Sequence, residues 1–80
     1  MKLPRDCNGS ELARALRRLG YEVTRQSGSH IQLTTQRGGE HHVSIPNYRP
    51  LKVGLLSGLL KDVAAHHELA VKDVVRELEL

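Results

Sequence analysis

His30 is the residue best placed to do chemistry in this chain. It closes the triplet Gly28-Ser29-His30 and opens the alternating stretch His30-Ile31-Gln32-Leu33-Thr34. Alternation puts successive strand side chains on opposite faces, so His30 shares a polar face with Gln32 and Thr34. A water-facing histidine in a chain of net charge +3 suits acid–base work on a polyanion. RNA is a polyanion that carries its own nucleophile, the 2′-hydroxyl. Removing that proton and protonating the leaving 5′-oxygen suit an imidazole, whose ordinary pKa lies near neutrality. Arg and Lys suit the charged phosphorane. Most histidines on exposed strand faces only meet water, and that bland reading stands beside the catalytic one.

His42 falls on the same polar face by parity. Keeping every apolar residue on one side, a turn centred near Gly38 pairs Ile31 with Ile45, Gln32 with Ser44, His30 with Pro46 and His42 with Thr34. The two histidines are then four residues apart along the strand, about 13 Å at ~3.3 Å per residue. That predicts one-histidine chemistry, with Tyr48 or Arg49 assisting from the loop Asn47-Tyr48-Arg49-Pro50. The pairs His41-His42 and His66-His67 invite a metal, but strand neighbours point apart and no Cys or carboxylate completes a set at ligand spacing, so none is expected. Arg14, Arg17, Arg18, Arg25, Arg37, Arg49 and Lys52 are available to phosphates. Most of them read as a solvated face. Lys52 and Gly54 stand out because they precede a helix N-terminus, where amides and dipole favour an anion. Cys7, the single cysteine, excludes an intramolecular disulfide and has no evident activating partner.

The elements that must position these residues are legible in the hydrophobic period. Residues 9–20 form a first helix with Leu12, Ala15, Leu16 and Leu19 on one face, a capping box from Asn8 and Glu11, and a stop at Gly20. Residues 21–45 switch to period two and give three strands, joined by turns at 26–28 and around Gly38-Gly39. A three-residue first loop, with Gly28 left-handed, pairs Val23 with Ile31 and Thr24 with His30 and turns Ser29 toward the apolar side. A second helix covers about 54–66, where Gly58 permits close packing, and a short third one about 71–79. The expected fold class is α+β: α-β-β-β-α with a three-stranded antiparallel sheet, helices on one face, and a short C-terminal helix. The other face is left open, carrying His30, Gln32, Thr34, His42 and Ser44.

Eighty residues predict one domain, 1–80. Aromatic content of 2% argues against recognition by base stacking, which needs exposed rings. The acids crowd toward the end (Asp62, Glu68, Asp73, Glu77, Glu79), so a basic body is followed by an acidic segment suited to a partner or to solvent. Residues 1–5 show no leader pattern and no stretch reaches the ~20 apolar residues of a membrane span. With a lone cysteine this points to a soluble, cytoplasmic protein.

The chain resembles the HicA toxin family of small bacterial mRNA interferases. The resemblance runs from Arg18-Leu19-Gly20-Tyr21 through Gly28-Ser29-His30-Ile31-Gln32-Leu33 and Val43-Ser44-Ile45-Pro46 to Lys52-Val53-Gly54-Leu55-Leu56-Ser57-Gly58-Leu59-Leu60-Lys61. It is strongest over 9–63, leaving 64–80 as a helical extension. It implies a fold like that of double-stranded-RNA-binding domains and the toxin half of a type II toxin–antitoxin system. It further implies metal-independent cleavage of mRNA by one catalytic histidine, which maps onto His30, presented by Gly28 and Ser29. No cofactor is implied. The implied partners are mRNA and a HicB-like antitoxin masking the sheet face, in a homodimer or a hetero-oligomer. Lys52, Arg49, Arg25 and Tyr48 are the RNA-binding candidates. Family members commonly carry a histidine soon after the strand-ending proline, whereas Asn47-Tyr48-Arg49 follow Pro46 here. The alternative is a non-catalytic RNA-binding module of the same fold, and a third reading is an assembly protein with no RNA role.

Overall fold

The computed structural model describes residues 6–80. The expectation of no leader falls on residues 1–5, outside the described residues. Helix α1 (Gly9–Leu16) continues into a 3₁₀ turn (Arg17–Leu19) and stops at Gly20, whose φ of +88° suits a residue without a Cβ. Leu12, Leu16 and Leu19 are buried, as their spacing requires. Asn8 occupies the N-cap position, but its side chain makes no capping bond, so the expected capping box does not form. Its carbonyl takes the Leu12 N–H at 3.0 Å.

Strands β1 (Glu22–Ser27), β2 (His30–Thr35) and β3 (His41–Pro46) form one antiparallel sheet in chain order. The β2–β3 register matches the parity argument, pairing His30 with Pro46, Ile31 with Ile45, Gln32 with Ser44 and Thr34 with His42. Ile31, Leu33, Val43 and Ile45 are buried on the inner face. The β1–β2 register differs from expectation. Ser27 faces His30, Arg25 faces Gln32 and Val23 faces Leu33, with an irregularity between Val23 and Arg25. The loop is therefore the two residues Gly28-Ser29, with Gly28 at φ +56°. Glycine at the first position of a two-residue turn matches the strand twist. Shortening the loop by one residue would send Val23 to the polar face, and the bulge at Thr24 restores it to the apolar side. Val23 is nevertheless 51% exposed and so are all six residues of β1, because α1 and α2 lie over β2 and β3. β1 is an uncovered edge.

Helix α2 (Val53–His67) buries Leu56, Leu60, Val63 and Ala64. Gly58 is exposed, and a Cβ there would meet nothing within 4 Å, so it serves no close packing. Glu68, at φ +55°, ends the helix and the Leu69 N–H donates to the Ala64 carbonyl at 2.9 Å. The turn folds α3 (Val71–Glu77) back, and Val74 and Leu78 complete the core. The acidic end is partly used internally: Glu79 pairs with Arg18 at 2.9 Å, an exposed contact worth little. Among the described residues no helix is long and apolar enough to cross a membrane.

One polar cluster fastens α2 to the sheet. The hydroxyl of the fully buried Tyr21 lies 2.7 Å from His41 Nδ1 and 3.2 Å from His67 Nε2. The Tyr21 hydroxyl thus bridges His41 of β3 and His67 of α2, and Asp62 Oδ2 lies 3.4 Å from His41 Nε2 on the other side of that ring. His66 donates from Nε2 to the Arg37 and Gly39 carbonyls and stacks on His41, with ring centroids 4.3 Å apart. Burial, and then Asp62, pushes the Tyr21 hydroxyl up to about 12. Burial lowers the His67 pKa, with the charges of His66, His41 and Arg37 acting in the same direction. The folded chain thus resists a proton on His67 that the unfolded chain accepts at the ordinary histidine value. The stability from neutral His67 is full above that value and is lost as pH falls below it toward the depressed one. Urea midpoints measured from pH 7.5 to 5 should fall with pH, and the fall should flatten in His67→Gln. An equal slope in both proteins would assign the loss to other groups.

Candidate functional site on the open sheet face

His30 begins β2, exposed, between Ser27 on one side and Pro46 on the other. The turn that presents it is tied down from the far side of the sheet. The Asn47 N–H donates to the Ser29 carbonyl at 2.6 Å, so the loop after β3 lies against the hairpin turn. Ser29 is an exposed turn residue that contributes this carbonyl; it does not face the apolar side, because the two-residue loop takes it out of the strand alternation. The same loop is fastened twice more, by Gly9 N–H to the Tyr48 carbonyl at 3.0 Å and by Leu51 N–H to the Cys7 carbonyl at 2.8 Å. Leu51 is buried and anchors the loop in the core. A Cβ on Gly9 would overlap the Pro46 carbonyl oxygen and come within 2.9 Å of Asn47 Cα, so α1 approaches the end of β3 as only glycine permits.

These contacts make one corner from the start of α1, the hairpin turn, His30 and the loop carrying Tyr48 and Arg49. Tyr48 is 49% exposed and Arg49 is exposed. Lys52 is the exposed N-cap residue of α2, whose first turn holds no acidic side chain. The bulge adds a residue that strict alternation would turn inward. Arg25 stands opposite Gln32, and directly paired residues share a face, so its guanidinium lies on the open side. Arg14, Arg17 and Arg18 ride on α1 and its 3₁₀ turn, where Arg14 and Arg17 line a cavity with Ile31 and Asn47, and Arg37 sits in the β2–β3 turn.

His42 lies at the other end of the face, opposite Thr34. Its Nδ1 is 2.8 Å from Thr34 Oγ1 and its Nε2 is 3.3 Å from Glu40 Oε2. Hydrogen bonds from Gln36 and then His42 lower the Glu40 pKa. His41 points the other way into the Tyr21 cluster, which also receives His66 and His67 from α2. Among the described residues no set of three His, Cys, Asp or Glu is arranged to share a metal ion.

Cys7 is buried in the core, and burial, with Glu11 adding, raises its thiol pKa. A thiol held protonated makes a poor nucleophile. Gly9, Thr24 and Glu40 are the site residues that sequence reasoning missed. Nothing local marks Gly9, because its constraint is backbone 37 residues away. Thr24 needed the bulge and Glu40 needed the turn.

A family model described as HicA toxin of bacterial toxin-antitoxin matches residues 9–64. That span opens on Gly9, holds the whole sheet and the fastened loop, and ends in the last turns of α2, leaving α3 outside. No curated protein and no solved structure matches the chain.

Proposed function

The chain belongs to the HicA toxin family, the toxin half of bacterial toxin–antitoxin systems, and from that premise we propose that it is a metal-independent endoribonuclease that cuts mRNA. His30 acts as general base or general acid in attack by the RNA 2′-hydroxyl. The observation that carries this reading is the exposed His30 at a corner fastened on several sides. Fixed orientation of an acid–base group relative to its substrate is worth several orders of magnitude in rate. Gly28 and Ser29 set the turn. Tyr48 and Arg49 flank the reacting phosphate from the loop, and Lys52, with the bare α2 N-terminus, and Arg25 hold neighbouring phosphates. A HicB-like antitoxin would cover the open face and shut the corner. The reaction belongs in the cytoplasm with the mRNA.

The test is incubation of the purified chain with RNA in excess EDTA. Cleavage to 2′,3′-cyclic phosphate and 5′-hydroxyl ends is expected, since the RNA supplies the nucleophile. RNA bound but left whole would instead establish the non-catalytic RNA-binding module. Cleavage that stops in EDTA would overturn the metal-independent route.

A further inference from the structure

Thr34, His42 and Glu40 form a hydrogen-bonded line across the open face that chemistry at His30 does not use. We propose that Thr34 is a base-reading residue, set by His42 and Glu40 to accept a hydrogen bond, and that it selects an amino over a keto group at the 4-position of a pyrimidine or the 6-position of a purine. The proposal rests on the RNA site above and adds its sequence preference.

The polarity follows from what each group can do. An ionised carboxylate only accepts, so the hydrogen between Glu40 Oε2 and His42 Nε2 belongs to the imidazole. Gln36 Nε2 donates to the other Glu40 oxygen at 3.3 Å and holds the carboxylate in place. A neutral ring with its hydrogen on Nε2 has a bare lone pair on Nδ1, and Thr34 Oγ1, 2.8 Å away, supplies its only hydrogen there. Thr24 Oγ1 lies 3.1 Å from Thr34 Oγ1 and 3.4 Å from the Gln32 carbonyl, and it donates to one of these acceptors. With its hydrogen directed to His42, Thr34 keeps at least one lone pair for a donor from solvent. Water would satisfy each of these exposed groups equally well, so folding does not require the line. Its effect is to fix the direction of one hydroxyl hydrogen.

Place adds to polarity. Thr34 lies four residues along β2 from His30, about 13 Å at ~3.3 Å per residue, and so meets a nucleotide flanking the scissile one. Cytosine and uracil differ there by an amine against a carbonyl, as do adenine and hypoxanthine. A fixed acceptor pairs with the amine and opposes the carbonyl.

The experiment measures affinity for uncleavable 2′-O-methyl oligonucleotides, with a single cytosine–uracil exchange moved along an otherwise constant sequence. One position should favour cytosine by about tenfold, the scale of one hydrogen bond lost against a fixed partner. Repeating the exchange with adenine and hypoxanthine should show the same sense. Thr34→Val should bring the ratio to about one. Glu40→Gln should lower it, because an amide can donate as well as accept, and the ¹⁵N shifts of the His42 ring should then leave the pure Nε2–H pattern. That readout needs no RNA. Equal affinity at every position, or a ratio that survives Thr34→Val, overturns the assignment. Oligonucleotides bound with this preference, beside RNA that is never cut, would sink the ribonuclease reading and leave the base-reading residue standing. No binding of any oligonucleotide would remove both.

Discussion

Replacing His30 with alanine should lower the rate of RNA cleavage by roughly 10²–10⁴-fold, the usual contribution of one general acid–base group. The protein should fold as before, because His30 is exposed and contributes nothing to the core. Fluorescence anisotropy should find the variant still binding RNA, since the proposed phosphate contacts are Arg25, Arg49 and Lys52. In cells, the wild type should arrest growth with loss of mRNA, and the variant should do neither. Full cleavage by His30→Ala would remove His30 from the mechanism. The Thr34-facing His42 would then become the next group to test, since it is the other histidine on this face. Growth arrest by both proteins with mRNA intact would point to a toxicity unrelated to cleavage.

The second large effect is expected far from any acid–base group. Gly9→Ala inserts a methyl where the Pro46 carbonyl already stands, and neither side of that contact is a flexible side-chain end. Backbone must move, which costs about 1–3 kcal/mol by the overpacking scale and ~5–20 °C in Tm for a domain of this size. The displaced segment is the end of β3 and the loop that holds Tyr48 against Gly9 and Asn47 against Ser29. Activity should therefore fall in Gly9→Ala even at temperatures where the protein stays folded. Gly58→Ala is the matched control. Its new Cβ meets nothing within 4 Å, and removing an exposed glycine from a helix interior should add about 1 kcal/mol. A Gly9→Ala protein as stable and active as its parent would show that the α1 approach to β3 is looser than its geometry.

Both predictions separate what local pattern specifies from what contact between distant segments specifies. Apolar residues at three- and four-residue spacing place α1 and α2, and period-two apolar residues place β2 and β3. Their parity, with a turn centred near Gly38, gives the register that puts His30 opposite Pro46 and His42 opposite Thr34. That register is legible because one face must be buried, and a one-residue slip would expose every apolar side chain on it. The edge strand is different. No helix covers β1, so the burial signal that fixes parity is weak there. Parity predicts a three-residue loop where the chain makes a two-residue turn and corrects the count with a bulge at Thr24. The bulge in turn delivers Arg25 to the open face. Similarly, Asn8 has the residue type of a cap but makes no cap bond, and Gly58 has the type of a packing glycine but packs against nothing. Residue type gives a propensity, and the neighbour that uses it comes from elsewhere in the chain.

The sequence by itself determined the α-β-β-β-α order with its short third helix, the apolar faces and the position of His30 on the polar side of a strand. Each is a consequence of periodicity within about a dozen neighbouring residues. Only the tertiary structure decided how His30 is held. The contacts from Ser29 to Asn47, from Gly9 to Tyr48 and from Cys7 to Leu51 link segments far apart in the chain, and they are backbone contacts that no side-chain pattern encodes. It also decided that Tyr21, His41, Asp62, His66 and His67 meet in one cluster, and that Glu40 and Thr34 stand on either side of the His42 ring. Hydrogen-bond direction depends on which acceptor lies within reach, and that is known only once the chain has closed on itself.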